Sequence, residues 1–265
     1  MRPNPIITLT TDFGLKDPYV AEMKAVILSI CPNATIVDIS HEIEKFNIPM
    51  GAYVLASATP FFPEETIHVA VVDPGVGTRR DPILVRTNRD CFVGPDNGIL
   101  SLVARNTDEM KIYRITNREL MLKEISNTFH GRDIFAPAAA HLANGTSPRE
   151  FGSRLSKVTE LSFAKITKKK NMLRGLVIHV DDFGNIISNV EKKELEPLEF
   201  GQMIDLKLNK TRVRLRLCRT YAEVEHGKPL ATIGSGNLLE VCTNKGNASE
   251  TFGVKMGDKI TLYRS

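Results

Sequence analysis

The sequence predicts an α/β protein. An N-terminal, mainly parallel sheet flanked by helices is expected over residues 1–165, followed by a C-terminal β-barrel over 171–265. Two observations carry this reading. From Ile6 to Val72, apolar strand-like runs alternate with helix-spaced segments, the pattern of a parallel sheet covered by helices. Beyond Lys170 the apolar period becomes mostly two and few helical stretches remain, the pattern of a small barrel.

Taken in order, Ile6–Leu9 is a short apolar run read as a buried strand, and it ends at the turn-rich Thr10-Thr11-Asp12-Phe13-Gly14. Pro18–Ile30 has helical spacing, with Val20, Met23, Val26 and Ile27 apolar. Thr35–Ile39 reads as a second strand, Pro49–Ala58 as a helix of small residues, and Thr66–Val72 as a third strand closing on Asp73-Pro74-Gly75. Further strands are expected at Ile83–Arg86, Cys91–Val93 and Ile112–Ile115, and a helix at Asp133–Ala143. Lys165–Lys170 reads as an exposed linker. After it, Leu176–Val180, Met203–Leu208, Arg212–Leu217 and Lys259–Tyr263 read as strands.

Composition narrows the function classes. The chain has 265 residues, 42% hydrophobic and 25% charged, a balance that allows a sizeable core. A net charge of +4, from 35 basic and 31 acidic residues, does not argue for nucleic acid. Cys31, Cys91, Cys218 and Cys242 form no CxxC pair and sit beside apolar residues, so reduced core thiols are expected. No apolar run approaches the roughly 18 residues of a membrane span, and no signal-peptide pattern opens the chain. A cytoplasmic protein without membrane or nucleic-acid partners is expected.

In open α/β sheets, ligands sit at the carboxyl ends of the strands. Asp12 follows the first strand and Asp73 the third, with Asp17 close by in the first loop. Asp is also a good turn and cap residue, so each has an ordinary explanation. Asp73-Pro74-Gly75-Val76-Gly77-Thr78-Arg79-Arg80 is the most unusual stretch, because Arg80 is far enough from Asp73 to fold back on it. His130 lies in a glycine-flanked loop, where functional residues concentrate, and Asp133 reads as the cap of the following helix. Asp181-Asp182-Phe183-Gly184-Asn185 and Gly234-Ser235-Gly236-Asn237 are turns or ligand loops. Arg212, Arg214 and Arg216 alternate with apolar residues, giving a strand with one basic, solvated face. The Asp-Phe-Gly triplets at Asp12 and Asp182 lack the glycine-rich and catalytic loops of a kinase. No cluster of metal-ligand type stands out.

Five segments in this order resemble the S-adenosylmethionine hydroxide adenosyltransferase family, relatives of the fluorinases and chlorinases. They are Thr10–Gly14, Val71–Gly77, Gly94-Pro95-Asp96-Asn97-Gly98, Phe129-His130-Gly131-Arg132-Asp133 and Asp182–Asn185, and they span nearly the whole chain. The resemblance implies hydrolysis of S-adenosyl-L-methionine to adenosine and L-methionine, in a homotrimer with sites between subunits. It places a catalytic triad on Asp73, Arg80 and His130. It places Asp12 on the ribose hydroxyls, Phe183 and Asn185 at the adenine, and Asp17, Asp181 and Ser235 at the methionine end.

The halogenases resemble this chain but have an uncharged Tyr at the position of Asp73 and a Tyr-Ser pair at His130-Gly131. A carboxylate repels a halide and accepts a proton from water, so the difference favours hydrolysis. The implied reaction is in-line attack of water on the ribose 5′ carbon, with the water about 3–3.5 Å away. The leaving sulfonium carries its own activating charge, so neither a metal nor a cofactor is expected. Asp73 accepts the proton directly or through His130. The alternatives are a chlorinase-like halogenase and a protein that binds the substrate or adenosine without turnover.

Overall fold

A computed structural model describes residues 4–105, 107, 109–161 and 166–263. It divides into two compact units, Met1–Leu161 and Ser162–Ser265.

In the first unit the elements run β1 (Ile6–Thr11), α1 (Tyr19–Ile30), β2 (Thr35–Ser40), α2 (Ile48–Ala58), β3 (Ile67–Val71), β4 (Pro82–Thr87), β5 (Cys91–Pro95), α3 (Ser101–Arg105), β6 (Met110–Arg114), a π-helical turn (Gly131–Phe135), α4 (Ala136–Ala143) and β7 (Arg154–Leu155). The sheet has seven strands in the order β2-β1-β3-β5-β4-β6-β7. The expected parallel core is β2-β1-β3-β5, while β4, β6 and β7 extend it antiparallel. Residues of β3 are buried on both faces, so apart from His68 its sequence runs apolar without alternation. α1 and α4 cover one face, packing Met23, Ile27, Ala138 and Ala139 on Ile7, Leu9 and Val69. α2 and α3 cover the other through Leu55 and Val103 against Val72, Ile83 and Val85.

Local signals explain the ends of these elements. α1 buries Val20, Met23 and Ile27, one stripe at helical spacing. α2 begins at Asn47, whose side chain accepts a hydrogen bond from the Met50 amide, with Pro49 in the first turn.

The second unit runs β8 (Thr167–Lys169), β9 (Met172–Val180), β10 (Ile186–Glu191), β11 (Met203–Leu208), β12 (Thr211–Cys218), β13 (Pro229–Ile233), β14 (Leu238–Thr243), α5 (Ala248–Phe252) and β15 (Lys259–Tyr263). The sheet order β10-β14-β13-β12-β11-β15-β9 closes on itself through β9–β10 pairing, which makes a seven-stranded barrel, and β8 is appended to β9. Leu173, Leu206, Leu215, Leu217, Val241 and Ile260 fill the interior. Arg212, Arg214 and Arg216 are exposed, as the alternation predicts.

Two local expectations need correction. Thr167–Lys169, read as linker, is the exposed strand β8, because its backbone pairs with Met172–Arg174 across a tight turn. Lys165 lies outside the described residues. The helix expected from Asp133 opens instead with the π turn Gly131–Phe135, and Asp133 caps nothing. The strands β13 and β14 and the short β7 carry no expectation from the sequence. All four cysteines are buried and unpaired with one another.

His68 on β3 is fully buried, its Nδ1 shares a hydrogen bond of 2.8 Å with the Thr8 hydroxyl, and its ring stacks on Phe92 at 5.0 Å. Burial, reinforced by the Arg89 charge, pushes its pKa down to about 3. In an unfolded chain it returns to the ordinary imidazole value of about 6.5. The stabilising effect of holding it neutral is therefore complete above about pH 6.5 and is lost as the pH falls toward 3, by up to ~1.4 kcal/mol per pH unit. His68→Asn, which does not titrate there, should lose less stability than the wild type between pH 6.5 and 4.5. The expected difference is roughly 2 kcal/mol, read from urea unfolding at the two pH values. Parallel losses in the two proteins would show that His68 is not the titrating group.

Candidate active site

The parallel register sets Thr11 of β1 beside Val71 of β3, so the carboxylates that follow, Asp12 and Asp73, emerge together at the carboxyl end of the sheet. Asp12 is only 6% exposed. Its Oδ2 accepts the Phe46 amide at 2.9 Å, and its backbone carbonyl accepts the Lys45 ammonium. Among the described residues no hydrogen-bond donor to Oδ1 is found.

Arg80 does fold back onto Asp73. Its Nε donates to both carboxylate oxygens, at 3.1 and 2.9 Å, and its Nη2 donates to Oδ2. Nη2 also lies 2.7 Å from His130 Nδ1. The pair is nearly buried, with Arg80 and Asp73 side chains 9% and 5% exposed, and the guanidinium rests over the Phe135 ring at 5.4 Å. Arg79 is exposed, so of two adjacent arginines one enters the site and one faces solvent.

Two further contacts fix this arrangement. Gly77 has φ +75°, and a Cβ there would sit 2.3 Å from the Asn127 carbonyl oxygen, so only glycine lets the 75–80 loop lie against the segment that carries His130. Asn97, quoted above without a role, donates its amide to the Val72 carbonyl at 2.8 Å and so pins the backbone beside Asp73.

Burial, then the Arg80 charge, hold His130 below the ordinary imidazole range, and the carboxylates of Asp73 and Asp133 pull the other way. The ring is therefore neutral near pH 7. A guanidinium only donates, so Nδ1 is the acceptor of the Arg80 bond and the ring proton is assigned to Nε2.

Asp12, Asp17, Asp73 and His130 line one cavity of about 250 Å³. Lys45, Phe46, Tyr19 and Phe129 line it as well and were not singled out from the sequence. Phe46 carries a signal visible only in the structure: it is 69% exposed and has φ +66°, unusual for an aromatic residue. Among the described residues no group of three His, Cys, Asp or Glu side chains is arranged to hold a metal ion.

The remaining candidates lie in the second unit. Asp181, Phe183 and Asn185 share the β9–β10 turn. Asp181 Oδ1 accepts the amides of Phe183 and Asn185 at 3.0 and 2.8 Å, and Oδ2 accepts the Asn185 side-chain amide at 2.9 Å. Asp181 thus shapes its own loop, while Asp182 is exposed and Phe183 is 79% exposed. Ser235 is exposed in the β13–β14 hairpin. Glu240, unremarked in the sequence, sits under Gly234, and burial with the Asp181 charge raises it to about 7.

An α/β unit with paired carboxylates at its strand ends, followed by a closed β-barrel, defines a class of two-unit α/β-plus-barrel proteins. The N-terminal-domain profile of the SAM hydroxide adenosyltransferase family matches residues 7–152, and the C-terminal-domain profile matches residues 175–261. The chain belongs to this family. It is 38% identical to the (R)-S-adenosyl-L-methionine hydrolase of Methanocaldococcus jannaschii, over 97% of this chain and 95% of that protein. It is 28% identical to a fluorinase of Actinoplanes sp., over 99% and 98%. The fold matches the crystal structure of an uncharacterized conserved protein from Thermotoga maritima with a TM-score of 0.92 and 39% identity, covering 97% of this chain and all of that one.

Proposed function

We propose that this chain hydrolyses S-adenosyl-L-methionine to adenosine and L-methionine. The observation that carries the reading is Arg80 joining Asp73 and His130 beside a cavity that Asp12 also lines. Its similarity to a named (R)-S-adenosyl-L-methionine hydrolase exceeds that to a fluorinase.

Asp12 accepts the ribose hydroxyls through its uncommitted Oδ1, and Asp17 meets the methionine end. Phe183 and Asn185 supply the adenine contacts, and Asp181 and Ser235 contribute at the methionine end. The family resemblance supports a homotrimer with the sites between subunits. The protein works in the cytoplasm, without metal or cofactor.

The water oxygen attacks the ribose 5′ carbon as the C5′–S bond breaks, and its electron pair passes to the neutral thioether of methionine. The proton goes to Asp73. His130 has its lone pair turned to Arg80 and its proton already placed, whereas Asp73 Oδ1, which accepts a single bond from Arg80, keeps acceptor capacity for the water. Arg80 fixes the carboxylate plane as only a bidentate fork can. Turnover in oxygen-18 water should place the label in the 5′-hydroxyl of adenosine, read by mass spectrometry. 5′-Chloroadenosine accumulating in chloride buffer, with no adenosine, would replace this reading with the halogenase one.

A further inference from the structure

We propose that Asp133 is a positioning residue for this reaction, holding His130 against Arg80 from inside the π turn; this rests on the hydrolase reading above. Asp133 is fully buried, and both of its oxygens are engaged. Oδ2 accepts the Ser126 amide at 2.8 Å, and Oδ1 accepts Arg132 Nε at 2.7 Å. Its backbone is tied as well: its N–H donates to the Phe129 carbonyl at 3.1 Å, and its carbonyl accepts the Leu122 amide at 3.0 Å. A helix cap would satisfy amides of its own helix. Asp133 instead reaches seven residues upstream and fastens the loop whose last residue leads into His130.

That loop carries the imidazole, and Ser126, whose amide Asp133 binds, lies four residues before His130. The Ser126 hydroxyl accepts the Phe129 amide at 2.9 Å, which closes the turn. Arg132 extends the anchor, with its guanidinium over the Phe129 ring at 5.1 Å and Nη1 on Glu22 of α1 at 2.8 Å. A buried carboxylate persists only where donors meet its oxygens, and here those donors belong to the segment that must stay still. The π turn widens the chain at this point, a geometry that recurs at functional sites. Gly131 is packed among Phe129, Met23 and Phe13, so the turn cannot readily shift to compensate.

The test compares wild type with Asp133→Asn, which keeps the volume and an acceptor for Ser126 but loses the charge-assisted bond to Arg132. Turnover should fall about ten- to a hundredfold, the effect of a sub-ångström to 1 Å misplacement, with KM within about threefold. The nitrogen-15 spectrum of the His130 ring, assigned by its loss in His130→Asn, should show the Nε2–H form in the wild type and a tautomeric average in the variant. If Asp133→Asn does not fold, Arg132→Gln carries the same test and should show the same split at smaller size. Wild-type turnover and an unchanged ring spectrum in the folded variant would overturn the inference and leave the hydrolase reading intact. A wild-type protein that forms no adenosine would instead remove the reading itself.

Discussion

Replacing Asp73 with Asn should lower turnover by about 10²–10⁴-fold, the range supplied by a positioned proton acceptor, while substrate affinity stays nearly unchanged. The isosteric amide keeps an oxygen for Arg80 but has little capacity to take a proton. Asp73→Ala is the harsher variant. It strands a guanidinium that is 9% exposed, and breaking a buried pair in this way costs about 3–5 kcal/mol. Folding must therefore be verified first. His130→Ala should also lose turnover rather than affinity. The double variant should be little worse than the poorer single one, because residues that act as a unit are not additive. Arg80→Lys should be impaired, since a point ammonium cannot bridge both Asp73 oxygens and His130 Nδ1 at once. Single-turnover kinetics and direct binding measurements separate these effects. Folded Asp73→Asn and His130→Ala proteins with near-wild-type rates would show that the chemistry lies elsewhere.

Asp12→Ala should weaken binding of both S-adenosylmethionine and adenosine by roughly ten- to a hundredfold, the loss expected on removing a charged acceptor from a buried hydroxyl. The carboxylate is held by the Phe46 amide and is 6% exposed, so its oxygens are in place before the ligand arrives. A 2′-deoxy ligand should lose less in the variant than in the wild type, because one of the two bonds is already gone. Calorimetric titration of both ligands into both proteins completes the cycle. Equal losses in the two proteins would mean that Asp12 does not read the diol.

Much of this site was legible in the primary structure, for a physical reason. Buried parallel strands are apolar-rich runs, so β1 and β3 announce themselves, and the carboxylates that follow them fall at the sheet end where ligands bind. Asp12 and Asp73 were found that way. Arg80 was found because a loop with two glycines can return on itself.

Other features had no comparable signal. β13 and β14 had none because a barrel strand is short and its burial depends on partners distant in sequence, such as the β10–β14 pairing. β8 is fully exposed, and only its neighbour makes Thr167–Lys169 a strand rather than a linker.

The sequence by itself determined the two-part α/β-plus-barrel organisation, the pairing of carboxylates at neighbouring strand ends and the family resemblance. These depend on periodicity and order along the chain. The tertiary structure decided which arginine turns inward, which nitrogen of His130 is the acceptor, that Asp181 is occupied with its own loop, and that Asp133 fastens the His130 segment instead of capping a helix. Each of these depends on where a hydrogen-bonding partner stands in space. The partners are 50 residues apart for Arg80 and His130, and seven apart for Asp133 and Ser126 through a π turn that no local propensity encodes.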